Sequence, residues 1–227
     1  MSAVRRRAAI GLALIVMVPG AAAAQNPSLL HRIEFAGGVG WLTGAALGVQ
    51  QADLRTATAG QPYRLFSSSS RMSAASMFDL RISVPLTERY GVEAHAAFAH
   101  PEIRTALSSD AEGAPDLTAV ERLDQYVLDG GLVVGLDQWS GAGLHPFVTV
   151  GGGYLRQLHE DLVVIEEGSV FFVGGGVKHT LLARSNGFIR GLGARADVRL
   201  NLLSGGIHIE DGVRRHVSVS GSLFIVF

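Results

Sequence analysis

Cysteine is absent from all 227 residues, which excludes disulfides and every thiolate metal site. No H-E-x-x-H pair occurs either, so the two-histidine zinc site of a helix is missing. After residue 24 no stretch of 18 apolar residues appears, so no segment reads as a membrane-spanning helix. Basic charge is not in excess. The 19 Lys and Arg face 20 Asp and Glu, a balance with no nucleic-acid footprint. Glycine is plentiful at 29 residues, but it lacks the period of a collagen. The triple glycines lack the Lys-Ser/Thr of a phosphate loop. The run Gly191-Leu-Gly193-Ala-Arg-Ala196 fits G-x-G-x-x-A formally. It is followed by alternating Asp197-Val-Arg-Leu200 where a dinucleotide site needs a helix, so that reading is rejected. No cofactor and no metal site is expected.

The first residues point to export. Arg5, Arg6 and Arg7 precede an apolar run from Ala8 to Val18, and Ala22-Ala23-Ala24 offers a small-residue cleavage site. This predicts a signal peptide over residues 1–24, because the apolar run is too short for a retained anchor helix. The expected mature chain, 25–227, is one domain by length. Without the three leader arginines it keeps 16 basic residues against 20 acidic ones, a net charge near −4.

The remaining chain alternates. In the last stretch Val217, Val219, Gly221, Leu223, Ile225 and Phe227 share one face, and His216, Ser218, Ser220 and Ser222 the other. A period of two marks a strand. Seven more such runs are expected at 33–42, 75–86, 90–98, 123–136, 146–155, 169–178 and 188–200. Thr43 to Ser73 and His100 to Arg122 read as long loops, as do 156–168 and 201–214; the remaining connections are short. Long and short connections alternating over an even strand count is the pattern of a transmembrane barrel. The sequence leaves open whether 49–66 adds a hairpin and makes ten strands. Tyr90, Trp139, Phe188 and Phe227 fall at one end of the strands. Trp41, Phe98, Tyr126, Tyr154 and Phe171 fall toward the other, as two interfacial belts.

Three segments carry a resemblance: 146–154 (PFVTVGGGY), 171–178 (FFVGGGVK) and 191–199 (GLGARADVR). They resemble the small outer-membrane β-barrel proteins, among them the OmpA transmembrane domain and OmpX-type barrels. The resemblance implies an all-β fold, an eight-stranded antiparallel up-and-down transmembrane β-barrel in a Gram-negative cell outer membrane. It implies outer-membrane lipid and lipopolysaccharide as surroundings, and the barrel-assembly machinery as a partner that reads Phe227 as its assembly signal. An extracellular ligand would meet the loops.

With apolar faces toward lipid, the inward set is Glu34, Asp79, Arg81, Glu93, His95, Asp129, Lys178, Arg195, Asp197 and Arg199. Five acids against four bases, with His95 neutral, suits a paired polar network filling a narrow lumen, since isolated charges there are costly. Inward glycines would make room for large charged neighbours. The expected role is structural or in surface interaction, without enzymatic activity. Alternatives are a narrow porin-like channel, an OmpW-like carrier of hydrophobic molecules, or a lipid-modifying enzyme using His216 and Ser218. A soluble lipocalin-like or sandwich fold is the remaining alternative, and it requires the apolar faces to be buried. The acidic clusters at His159-Glu-Asp161, Glu166-Glu167 and 208–211 read as solvated loop charge.

Overall fold

A computed structural model describes residues 32–54, 63–109, 115–141, 143–159, 164–184, 187–207 and 213–227. These form eleven strands and one short 3-10 turn: β1 Glu34–Leu42, β2 Ala45–Leu54, β3 Tyr63–Met72, β4 Ala75–Pro85, β5 Tyr90–Ala99, β6 Glu102–Ser108, β7 Leu117–Gly135, β8 Leu144–His159, β9 Ile165–Ala183, β10 Gly191–Gly205 and β11 Arg214–Val226. No helix among the described residues is long and apolar enough to cross a membrane. Eight strands form a closed antiparallel ring in the order β1-β4-β5-β7-β8-β9-β10-β11. It closes where β1 pairs β11, from Glu34↔Val226 to Leu42↔Ser218.

The polarity is inside out. On β4, Asp79 and Arg81 are 1% and 2% exposed, while Phe78 and Leu80 beside them are 65% and 66% exposed. β11 alternates the same way, with Ser218, Ser220 and Ser222 inward and Val219 and Leu223 outward. This excludes the soluble sandwich or lipocalin-like alternative, in which the apolar face would be buried.

The three other strands lie outside the ring and correct two loop expectations. Thr43–Ser73 is mostly the β2–β3 hairpin, and His100–Arg122 is largely β6 and the start of β7. They stack on the barrel as a second antiparallel sheet, β2-β3-β6-β7. The hairpin therefore leaves the ring at eight strands. Each added strand continues a barrel strand across a two-residue break: 43–44, 73–74 and 100–101. Two breaks have plain causes. Pro101 has no N–H for a ladder. A Cβ on Gly44 would lie 2.5 Å from the Met72 carbonyl oxygen. β7 alone runs unbroken through both sheets, 19 residues long. Residues read as connections at 156–159, 165–168, 179–183 and 201–205 are also strand.

Candidate functional site

The lumen holds the charged residues in one network. Glu93 on β5 is its hub. Its carboxylate accepts hydrogen bonds from Arg81 Nη1 (3.1 Å), Arg199 Nη2 (2.6 Å), Arg195 Nη2 (3.3 Å) and the Ser83 hydroxyl (2.9 Å). Arg195 grips Asp197 through two donors, Nε at 2.7 Å and Nη2 at 2.8 Å. Arg81 donates to Asp79 at 2.8 Å and to Asp197 at 3.4 Å, and its other amino group reaches the Ser220 hydroxyl at 3.1 Å. Arg199 also reaches Asp129 at 3.3 Å, whose second oxygen lies 2.7 Å from His95 Nδ1. Forked guanidiniums suit this arrangement because each holds two carboxylates in one plane. Nearer the strand ends, Lys178 donates to both oxygens of Glu34 at 2.8 Å. All ten residues singled out in the sequence thus point inward and lie in or beside this network.

Three inward phenylalanines were not anticipated as part of it. Phe147 stacks on Arg195 and Phe172 on Arg199, each with 4.5 Å from guanidinium carbon to ring centroid. Lys178 sits 5.7 Å from the Phe147 ring and 5.8 Å from Phe224. The glycines opposite explain how such rings fit. A Cβ on Gly131 would lie 2.8 Å from Phe172 Cζ, on Gly176 2.8 Å from Phe147 Cζ, and on Gly193 2.3 Å from Phe224 Cζ. So glycine admits aromatic rings as well as charged groups: Gly38, Gly153 and Gly174 face Asp79, Asp129 and Arg199 directly. Cation–π stacking then covers the guanidinium faces that hydrogen bonds leave bare.

Above the ionic layer the lumen turns apolar. Leu155, Val170 and Leu203 form one buried cluster; Leu47, Met72, Ile103 and Leu123 form another, with Ile207 packed against it. Ile207, just past β10, thereby reaches across the mouth to the second sheet. It is clasped there. Its N–H donates to Gln157 Oε1 at 3.0 Å, Gln157 donates to Gln125 at 2.7 Å, and Arg214 donates to the Ile207 and Gly205 carbonyls. Between cap and ionic layer lies a cavity of about 40 Å³ bordered by Arg81, His95, Arg199, Leu42, Met77 and His216. It has room for a few waters. A cup of about 360 Å³ at the other end is floored by Glu34, Lys178 and Phe147.

His216 and Ser218 are both buried on the inward face. His216 Nδ1 lies 3.0 Å from the Thr43 carbonyl, and the Ser218 hydroxyl accepts from Asn201 at 3.1 Å. The loop clusters are divided. His159 bonds Glu121, Glu166 and Glu167 sit on β9, and Glu160, Asp161 and 208–211 lie outside the described residues. Among the described residues no cluster of His, Asp and Glu could hold a metal. Phe227 packs edge-on against Phe35 and Phe188, with centroids at 5.5 and 4.9 Å, and its N–H donates to the Ile33 carbonyl at 3.0 Å. It therefore lies at the seam where the ring closes.

A closed ring satisfies every ladder hydrogen bond without an edge. An apolar exterior around a charged core is stable only with lipid outside. These two features define a transmembrane β-barrel. The chain is similar in structure to the outer-membrane protein OprG from Pseudomonas aeruginosa, at 13% identity and TM-score 0.44, over 85% of this chain and 92% of that one. It is similar also to the outer-membrane protease OmpT from Escherichia coli, at 10% identity and TM-score 0.42, over 87% and 97%. A third is Ail, the attachment invasion locus protein of Yersinia pestis, in complex with the heparin analogue sucrose octasulfate. It matches at 8% identity and TM-score 0.41, over 86% and 99%. No protein-family model and no curated protein matches the sequence.

Proposed function

We propose that this is an exported, non-enzymatic outer-membrane protein whose barrel is a closed plug and whose second sheet is its working surface. The observation that carries this reading is the double closure of the lumen, an ionic layer beneath an apolar cap, with about 40 Å³ between them. A solute path would have to break both. The second sheet stands beyond the outer belt of Trp41, Phe98 and Tyr126, so it faces the medium. Among the described residues its β7 edge, 117–122, pairs only β6. Unpaired edges are templates for a partner strand. The His216–Ser218 geometry speaks against a lipid-modifying enzyme built on that pair. The histidine is spent on a backbone carbonyl and the serine on Asn201, and among the described residues no carboxylate orients the pair. Phe227 at the seam suits a role as the signal read during assembly. Lipopolysaccharide would surround the sheet's base.

Cold-versus-boiled gel mobility on the detergent-extracted outer-membrane fraction tests the placement, and a boiling-dependent shift is the expected result. Planar-bilayer recording of the same material tests the plug. We expect no unitary conductance. Reproducible unitary steps would replace the plug with a narrow channel.

A further inference from the structure

The junction between the two sheets carries a cationic cleft that the lumen does not explain. The breaks at 43–44 and 73–74 lie side by side, since Leu42 pairs Ala75 and Ala45 pairs Met72. Between them opens a cleft of about 520 Å³. Its floor is small-residue backbone, including Gly44, Ala45, Ala46 and Ala74, and its walls carry Arg71 and Arg104. The cleft depends on Gly44, where a Cβ would strike the Met72 carbonyl.

Arg71 on β3 and Arg104 on β6 are direct cross-strand partners. Direct partners share a face, so two exposed guanidiniums stand next to each other. Like charges so placed repel unless an anion joins them. Protein acids do not supply enough. Glu102 takes Arg104 at 3.0 Å, while Arg71 makes no ion pair among the described residues. Arg122, paired with Glu102 across β6 and β7, adds a third cation to the face. Asp124, next along, is held by His100 at 2.6 Å. Two neighbouring guanidiniums offer forked N–H donors that match the oxygens of a phosphate.

The depth of the cleft identifies the source of the anion. Trp41 of the outer aromatic belt pairs Ser76. Ala74 is two residues further out, roughly 7 Å along the strand. A headgroup layer of roughly 5–7 Å begins at that belt. The floor of the cleft therefore lies at the outer limit of the headgroup layer; Arg71 and Arg104, rooted further out, line the same cleft, and long side chains of this kind can reach back toward the headgroups.

We propose that Arg71 and Arg104 clamp the phosphate of a phosphorylated saccharide headgroup belonging to an outer-leaflet lipid. This rests on the outer-membrane reading above and names a specific site within it. The test uses the full-length mature protein in detergent, with native mass spectrometry as readout. Three probes are compared: a phosphorylated saccharolipid, its dephosphorylated counterpart with the same acyl chains, and inorganic phosphate. Wild type should retain the phosphorylated lipid at least about tenfold better than the dephosphorylated one. The double variant Arg71→Gln, Arg104→Gln should lose that preference, as expected for removing charged hydrogen bonds. Arg89→Gln, at the opposite rim, should keep it. Equal retention of both lipids by wild type, or an unchanged preference in the double variant, would overturn the proposal. Inorganic phosphate held as tightly as the lipid would assign the clamp to soluble anions and overturn the lipid source. Each protein is also run cold and boiled. A shift in the variants shows that lost binding is not lost folding. Absence of a shift in wild type would strike the barrel reading itself.

Discussion

Glu93 neutralises parts of three arginines at once, so no single arginine in the lumen is expendable. Removing one partner from a buried ionic network leaves an uncompensated charge and costs about 3–5 kcal/mol. Arg195→Ala should therefore lower the temperature at which the folded gel band converts to the unfolded one, whereas the exposed Arg89→Ala should leave it within experimental error. An unshifted conversion temperature for Arg195→Ala would mean that the network contributes little to stability. The glycine side of the same design is equally testable. Gly193→Val places new atoms against Phe224 Cζ and the His179 carbonyl, at 2.3 and 2.4 Å from the Cβ alone. Overpacking of that kind costs about 1–3 kcal/mol, and backbone contact raises the figure. Equilibrium urea unfolding in detergent should show a lower midpoint for Gly193→Val. Both effects concern residues whose facing was legible in the sequence. Alternation alone sends Asp79, Arg81, Arg195 and Asp197 to one side and Phe78, Leu80 and Val198 to the other. Which acid meets which base was not legible, because β5 and β10 are brought together only across the lumen. The phenylalanine stacks were hidden for a related reason. Phe147, Phe172 and Phe224 meet Arg195, Arg199, Lys178 and the facing glycines only across strands, so nothing local in the sequence marks them.

At the level of elements, the misread segments share a feature. Residues 63–72 contain four consecutive serines, and 100–122 contain Pro101 and Pro115, so composition argued for loops. Strand pairing overrode it. The serines lie between β2 and β6 in a sheet whose buried contacts come from Leu47, Met72, Ile103 and Leu123 at its base. Because β2 and β3 pair each other and β6 outside the ring, and join it by continuing β1 and β4, they are separable from the barrel. Deleting residues 45–72 would leave Thr43-Gly44-Ser73-Ala74 between Leu42 and Ala75, which already pair. A four-residue connection is within the common range for a hairpin. We expect the shortened protein to assemble and retain its boiling-dependent mobility shift. Failure to produce a folded band would show that the outer sheet is required for closure.

For the molecule as a whole, the two sheets divide the labour between lipid and medium. The ring has no edge to pair with, and its charged residues face a filled interior. The second sheet differs: among the described residues 117–122 of β7 pair only β6, and Arg71 and Arg104 stand side by side and exposed. On the function proposed above, β2, β3, β6 and the start of β7 are the surface offered to the medium, and the barrel is their mount.

The unbroken course of β7 gives that mount a mechanical character. A force applied at the tip of the outer sheet reaches the ring along one continuous strand, held on one side by β6 and β5 and on the other by β8. Pulled along its length, that strand loads its ladder bonds together in shear instead of unzipping them one by one. The three interrupted strands lose regular pairing at their breaks and are held there by single cross-bonds, such as Thr43 N–H to the Val217 carbonyl at 2.9 Å and Ser73 N–H to the Glu102 carbonyl at 2.7 Å. A load on the outer sheet would thus pass to the ring mainly along β7, and the interrupted junctions of β2, β3 and β6 would yield before the barrel does.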